Sequence, residues 1–276
     1  MRTTTAALAP LACCLLPLVA TSASGAELQA RTVAAWDRYV RATEAQMVGD
    51  PFLHVDGLPE AERRARLAEL GRGELFIARL ATREAGVPVD VPGGLIHHWI
   101  GAVFVPGATL NQAVGLMQDY DRHADIFRPV VARSKLVSRD GDAFKVYLRF
   151  RLKKVITVVV NTDNEARFVR LGSDRAQSRI YSLRVAEVED PDTPQEHEKP
   201  VGNDGGFLWR LYTYWRFLER DGGTYVQCEA ISLTRGIPIG FGWLIGPFVT
   251  SIPRESLAFT LETIRMALPR RLAAHQ

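Results

Sequence analysis

Gly206-Phe207-Leu208-Trp209-Arg210-Leu211-Tyr212-Thr213-Tyr214-Trp215-Arg216-Phe217-Leu218 runs into Asp221-Gly222-Gly223, and a second run then returns from Thr224 to Thr234. The first run is dense in aromatic residues, which suit a pleated surface. Asp-Gly-Gly supplies the positive φ that a hairpin turn needs. A two- or four-residue loop centred on Asp221-Gly222 puts Trp209, Leu211, Thr213, Trp215 and Phe217 on one face. Val226, Cys228, Ala230, Ser232 and Thr234 share that face on the partner strand, so large side chains stand against small ones. The other face carries Arg210, Tyr212, Tyr214 and Arg216 beside Gln227 and Glu229. An odd loop would break this pairing.

Further on, Ser251-Ile252-Pro253-Arg254-Glu255 reads as a helix start, with a hydroxyl residue ahead of a first-turn proline and acid. Leu257, Leu261, Ile264 and Leu268 follow at spacings of 4, 3 and 4. That stripe must lie on something apolar, and the aromatic face of the hairpin is the nearest candidate.

At 276 residues the chain has room for one large domain or two small ones. Its apolar fraction of 47% and charged fraction of 24% are those of a globular protein, and a formal charge of +3 argues for no nucleic-acid partner. Arg2, the apolar run Ala6 to Ala20 and the small residues Thr21 to Ala26 read as a signal peptide over residues 1–26. Cleavage is expected after Ala26, with Ala23 as the alternative site and a lipoprotein reading at Leu11-Ala12-Cys13 as the rival. A periplasmic or secreted protein follows. Only Cys228 then remains, mid-strand among small residues, and reads as a buried structural thiol.

Residues 27–93 read as a helical N-terminal extension: Val33, Trp36, Tyr39 and Val40 fall at helical spacing, Pro59 to Leu70 is rich in helix formers, and Glu74 to Glu84 continues in that style. Val87 to Gly94 breaks the pattern and marks a boundary. Beyond it come a strand from Leu95 to Val105, two short helices over Thr109–Met117 and Asp119–Phe127, and a series of strands. A polar loop from Asp190 to Gly205 reads as a mobile excursion before the closing hairpin and helix.

That element order, with Pro106 closing the first strand, Asp119-Tyr120-Asp121 at the helix pair and Ile252-Pro253-Arg254-Glu255-Ser256-Leu257 opening the last helix, resembles the START-like superfamily. This is the SRPBCC group of Bet v 1-type proteins, polyketide cyclases and lipid-transfer domains. The similarity spans residues 94–271 and rests on element order and loose local patterns. It implies an α+β helix-grip fold, a curved antiparallel sheet wrapped around a long C-terminal helix with an apolar cavity between them.

No catalytic or metal constellation emerges from the spacing. The histidines 54, 97, 98, 123, 197 and 275 form no zinc-like set, and His97 and His98, neighbours on a strand, point to opposite faces. There is no Gly-x-Ser-x-Gly elbow, and the glycines at 236, 240, 242 and 246 do not form a dinucleotide fingerprint. No cofactor is implied. Residues 236–248 carry no charge, and three readings stay open for them: a buried connection, a glycine-hinged lip over a cavity mouth, or a patch touching membrane or a partner. Asn161, Asp163, Asn164, Glu165 and Arg167 are undecided between the two faces of their strand.

The expected function is non-catalytic binding or carriage of a hydrophobic small molecule, a lipid, isoprenoid or aromatic compound. Trp209, Leu211, Thr213, Trp215, Phe217, Leu257, Leu261 and Ile264 are the expected cavity wall. His98, Tyr214, Arg216 and Glu229 are weaker polar candidates for it. The alternatives are a cyclase- or hydrolase-type enzyme using polar residues of that cavity, and an envelope interaction module with a filled core.

Overall fold

The computed structural model describes residues 26–153, 157–236 and 242–274, with backbone alone at 26, 242–250 and 270–274. The expected signal segment, apart from its last residue, lies outside the described residues. In chain order the elements are α1 (Ala30–Gly49), a 3-10 turn (His54–Gly57), α2 (Glu60–Gly71), β1 (Phe76–Arg79), β2 (Gly94–Pro106), α3 (Leu110–Gln118), α4 (His123–Ile126), β3 (Val131–Asp140), β4 (Ala143–Lys153), β5 (Thr157–Arg170), β6 (Arg175–Glu189), β7 (His197–Glu198), β8 (Arg210–Arg220), β9 (Gly223–Arg235) and α5 (Gly242–Ala274).

The strands form one antiparallel sheet in the order β1-β2-β9-β8-β6-β5-β4-β3, with β7 added beside β6. The hairpin of β8 and β9 therefore sits mid-sheet. Its turn is the two-residue loop Asp221-Gly222, both residues at positive φ (57° and 75°), joining Arg220 to its partner Gly223. That loop fixes the register: Trp215 opposes Cys228 and Phe217 opposes Val226, as the alternation requires. Between β2 and the meander, α3 begins at a capping box, in which Thr109 Oγ1 accepts from Gln112 N–H and Gln112 Oε1 accepts from Thr109 N–H.

Both faces of the sheet are covered. The inner face packs on α5 and α3, and Leu257, Leu261, Ile264 and Leu268 of the α5 stripe are all buried there with Val103, Phe217 and Val226. The outer face lies under α1, the 3-10 turn and α2. Trp36, Tyr39 and Val40 of α1 pack on Tyr214, Ile231 and Leu233, while Leu53, Val55 and Leu70 pack on Ala102, Phe104 and Tyr225. This is the helix-grip α+β fold, with an added N-terminal layer behind the sheet.

Three local expectations differ from the structure. Residues 74–84 do not continue as helix, because Phe76–Arg79 pairs with Ala102–Trp99 as an edge strand. Its apolar Phe76 and Ile77 gain more from burial on the sheet than the local helix formers gain from propensity. α5 starts at Gly242, nine residues before Ser251, and carries Pro247, Pro253 and Pro269 within it. Each interior proline removes an i→i−4 hydrogen bond at a cost of about 3 kcal/mol, so the helix is held by what surrounds it rather than by local preference. The loop from Asp190 to Gly205 is also tied down. Glu196 takes a bidentate pair from Arg149, Lys199 reaches Glu187 at 2.7 Å, and His197–Glu198 pairs with Glu189 and Val188.

Gly101 sets the distance between α5 and the sheet. A Cβ there would stand 2.7 Å from Leu261 Cδ1 and 3.1 Å from the Phe76 carbonyl oxygen. Gly101→Ala is expected to lower unfolding stability by about 1–3 kcal/mol through overpacking. Urea denaturation measures this, and an unchanged midpoint would contradict the close approach.

Candidate ligand cavity and the polar seam behind it

Strand alternation sorts the inner-face side chains, and the bend of the sheet leaves a space beneath the first half of α5 that they do not fill. The result is a cavity of about 670 Å³. β8 and β9 contribute Leu211, Thr213, Trp215, Cys228 and Ala230 to its wall. β4, β5 and β6 add Val146, Leu148, Phe150, Val160 and Ile180, and α5 closes it with Ile252, Pro253, Ser256, Leu257 and Thr260. The wall is overwhelmingly apolar. The second half of α5 clamps down instead: Leu261 and Ile264 are fully buried against β2 and α3.

Polar groups in the wall are few, and the Tyr120 hydroxyl among them is buried with no hydrogen-bond partner among the described residues. Trp215 Nε1 donates to Thr213 Oγ1 at 3.2 Å. Asn164 shares its parity with Val160 and Ala166 and so faces inward. Its Nδ2 donates to Thr162 Oγ1 at 2.8 Å and weakly to two carbonyls, while its Oδ1 has no partner among the described residues. Asn161, one face removed, accepts from Arg149 Nε at 2.8 Å on the outside. Tyr120 and His123 stand side by side at 4.8 Å between ring centroids and also line the cavity. Burial pushes the Tyr120 phenol and the Cys228 thiol well above their ordinary ranges, so both stay protonated.

Of the expected wall residues, Leu211, Thr213, Trp215 and Leu257 line the cavity, whereas Phe217, Leu261 and Ile264 lie in the solid core beside it. Trp209 is a correction. It precedes β8, beyond the positive-φ turn at Gly206, and strand parity does not reach it. Its indole N–H donates to Asp204 Oδ1 at 3.1 Å and its ring packs with Trp36 on the outer face.

The polar candidates His98, Tyr214, Arg216 and Glu229 are corrected together, because none of them faces the apolar cavity. They point the other way and bind the N-terminal layer to the sheet. Glu229 Oε1 lies 2.7 Å from His98 Nε2, and His98 Nδ1 lies 2.9 Å from the Tyr39 hydroxyl. Tyr39 in turn accepts from the Thr82 backbone N–H at 2.9 Å. With Glu229 Oε1 accepting from Nε2–H, the Nδ1 lone pair can take the Tyr39 hydroxyl proton, so both ring nitrogens and the Tyr39 hydroxyl are engaged. Tyr214 donates to Glu44 of α1 at 2.9 Å, and Tyr181 reaches the same carboxylate. The Arg216 guanidinium donates to the carbonyls of Met47, Pro51 and Phe52, placing a cation at the C-terminal end of α1 where exposed carbonyls favour it. No spacing rule reveals this seam, since it forms only where α1 comes to lie over these strands.

Among the described residues no cluster of three or more His, Cys, Asp or Glu could hold a metal ion. His97 faces inward, 3.1 Å from Thr234 Oγ1. Burial, with a smaller effect of the Arg79 charge, lowers its pKa from 6.5 to about 4.

Two expectations follow from this geometry. His98→Ala would strand the Glu229 carboxylate and the Tyr39 hydroxyl, at a cost of roughly 2–5 kcal/mol. Hydrogen exchange should then accelerate in α1 before it does in α5; equal protection of α1 in both forms would contradict the seam. Because His97 is neutral when folded, only the unfolded chain takes its proton between pH 6.5 and about 4, so stability falls as pH drops through that window. The full effect is about 3 kcal/mol, and His97→Gln should flatten that part of the urea-midpoint profile. An identical slope would contradict the buried neutral ring.

No family model and no curated protein matches the chain. Among solved structures it is similar to a protein of Thermus thermophilus, at 17% identity over 66% of this chain and 99% of that one, with a TM-score of 0.43. A second is fragment 25-204 of a STAR-related lipid transfer protein from Xanthomonas axonopodis, at 16% identity, 69% and 98% coverage and a TM-score of 0.44. A third is an aromatase/cyclase from a Streptomyces species, at 12% identity, 64% and 96% coverage and a TM-score of 0.43.

Proposed function

We propose that the protein binds and carries a hydrophobic small molecule, a lipid, isoprenoid or aromatic compound, in the cavity between the sheet and α5. The observation that supports this most is the cavity itself, about 670 Å³ of space walled by apolar side chains. Removing roughly 300 Å² of apolar ligand surface from water there contributes about 7 kcal/mol. That exceeds the lower end of the association cost, about 4 kcal/mol, so apolar burial supplies the larger part of the driving force before any polar contact is counted. Asn164 Oδ1 offers one acceptor that would orient a ligand hydroxyl.

Entry is assigned to the end of the cavity lined by Phe207, Arg235 and Gly236, where Phe207 is 38% exposed. Residues 237–241 follow directly and lie outside the described residues; from Gly242 the backbone is helical, so the loop-like lip reading does not hold for 242–248, while membrane contact through 236–248 stays part of this proposal. The N-terminal leader-like segment suggests that the work is done in a periplasm or outside the cell.

The cyclase- or hydrolase-type alternative loses the polar groups assigned to it, because His98, Tyr214, Arg216 and Glu229 are engaged behind the sheet. A fully filled core does not fit the space beneath α5.

The test is recovery of the protein from its native source, followed by mass spectrometry of co-purified small molecules, with Ala230→Trp as the control. Ala230 is half-buried in the cavity wall, and an indole there would occupy the space. The wild type is expected to carry an apolar compound at near one-to-one ratio and the variant to lose it. Wild type repeatedly recovered empty, or equal uptake of an apolar fluorescent probe by both forms, would refute the proposal.

A further inference from the structure

A second chamber of about 270 Å³ lies on the opposite side of the sheet, beneath the N-terminal layer. Its floor is sheet: His98 and Ile100 of β2, Arg216 of β8, Gln227 and Glu229 of β9. Its roof is α1 and the segments after it. The exposed residues among its lining, Gln46, Asp50, Pro51, Gly57 and Ala81, mark its mouth. In contrast to the large cavity, more than half of what lines it is polar. At ~30 Å³ per water it has room for roughly nine waters, or for one small organic molecule.

The chamber holds complementary hydrogen-bonding groups that the protein leaves unused. Glu229 is 8% exposed, and while His98 occupies its Oε1, its Oε2 has no partner among the described residues. Gln227 is 2% exposed; its Oε1 accepts from the His54 backbone N–H at 2.7 Å, and its Nε2 donates to none of the described residues. Arg216 spends its two terminal nitrogens on backbone carbonyls, leaving Nε–H likewise unused. Arg216 is directly cross-strand from Gln227, and Glu229 stands two residues farther along the same face. Such neighbours have Cβ atoms on the order of 5–8 Å apart. Glu229 and Arg216 nevertheless form no direct ion pair in the described structure. Each charge is answered only in part, the carboxylate at one oxygen by His98 and the guanidinium by carbonyls instead of a counter-charge.

From these three unused groups we infer that the chamber is a second binding site, for a small zwitterion of the amino-acid type. The ligand ammonium would meet Glu229 Oε2, and its carboxylate would take the Arg216 Nε–H and the Gln227 amide. The site is independent of the apolar cavity and does not rest on the carrier reading. A ligand here would bridge α1 and the sheet, so occupancy would stiffen the N-terminal layer.

Calorimetric titration of the purified full chain with glycine, L-alanine and β-alanine tests this, with ethylamine and propionate as singly charged controls. At least one zwitterion is expected to bind at a single site, about tenfold or more tighter than either control. Glu229→Gln should weaken it at least tenfold and leave uptake of an apolar probe by the large cavity unchanged. Should that variant fail to fold, Gln46→Trp, at an exposed helix position, blocks the mouth without touching the buried groups and should abolish binding. Saturable binding of none of the three zwitterions, binding of ethylamine as tight as theirs, or zwitterion binding untouched by Gln46→Trp would each overturn the inference.

Discussion

Leu261 rests on Gly101, and that contact sets the height of α5 above the sheet. Where a side chain is missing from β2, the helix comes down and its second half makes a dry, solid core with α3 and the β2 strand. Toward its beginning the helix passes over the curved part of the sheet, where strands β4, β5 and β6 fall away. Trp215, Leu211 and Leu257 there border a space. A helix pinned at one end over a bent surface leaves a hollow at the other. The cavity is thus a consequence of where the helix is anchored as much as of which side chains line it.

Burying the inner face in this way leaves the problem of the outer one. An antiparallel sheet can leave one face wet, but this one carries Ile231, Leu233, Phe104 and Tyr225 there, and an additional layer from the N-terminal residues covers them. The cover is held by two chemically different means. At its ends are apolar patches, around Trp36 and around Leu53. Between them runs a polar seam of Tyr39, His98, Glu229, Arg216 and Glu44, whose hydrogen bonds are directional and so fix the position of α1 on the strands. The same seam borders the small polar chamber, so the two faces of one sheet offer spaces of opposite chemistry.

Much of the inner half is legible in the sequence because it rests on short-range rules. Asp221-Gly222 specifies a two-residue turn, the turn specifies parity, and parity places Leu211, Thr213 and Trp215 on one side and Tyr214, Arg216 and Glu229 on the other. The α5 stripe follows from spacing alone. Parity stops where the strand stops, which is why Trp209, tied back by Asp204, goes to the other face. The helix start is not legible, because Ser251 and Pro253 mimic an N-terminus, whereas the backbone continues helical from Gly242. Nor is the outer half. Alternation says that Glu229 and Arg216 share a face; it cannot say that a helix from far earlier in the chain will cover that face. Charged side chains on an uncovered strand read as solvent contacts, and a long-range contact reverses that reading. Phe76–Arg79 shows the same limit, since an edge strand is defined by its partner.

The central claim is that the space beneath the first half of α5 is hollow and dry. Diffraction from crystals of the protein pressurised with xenon measures this directly, because an apolar cavity admits the gas and a packed core does not. Xenon peaks bounded by Leu211, Trp215, Ile180 and Leu257 are the predicted result. Their absence, with side chains closing that volume or a chain of ordered waters filling it, would contradict the account.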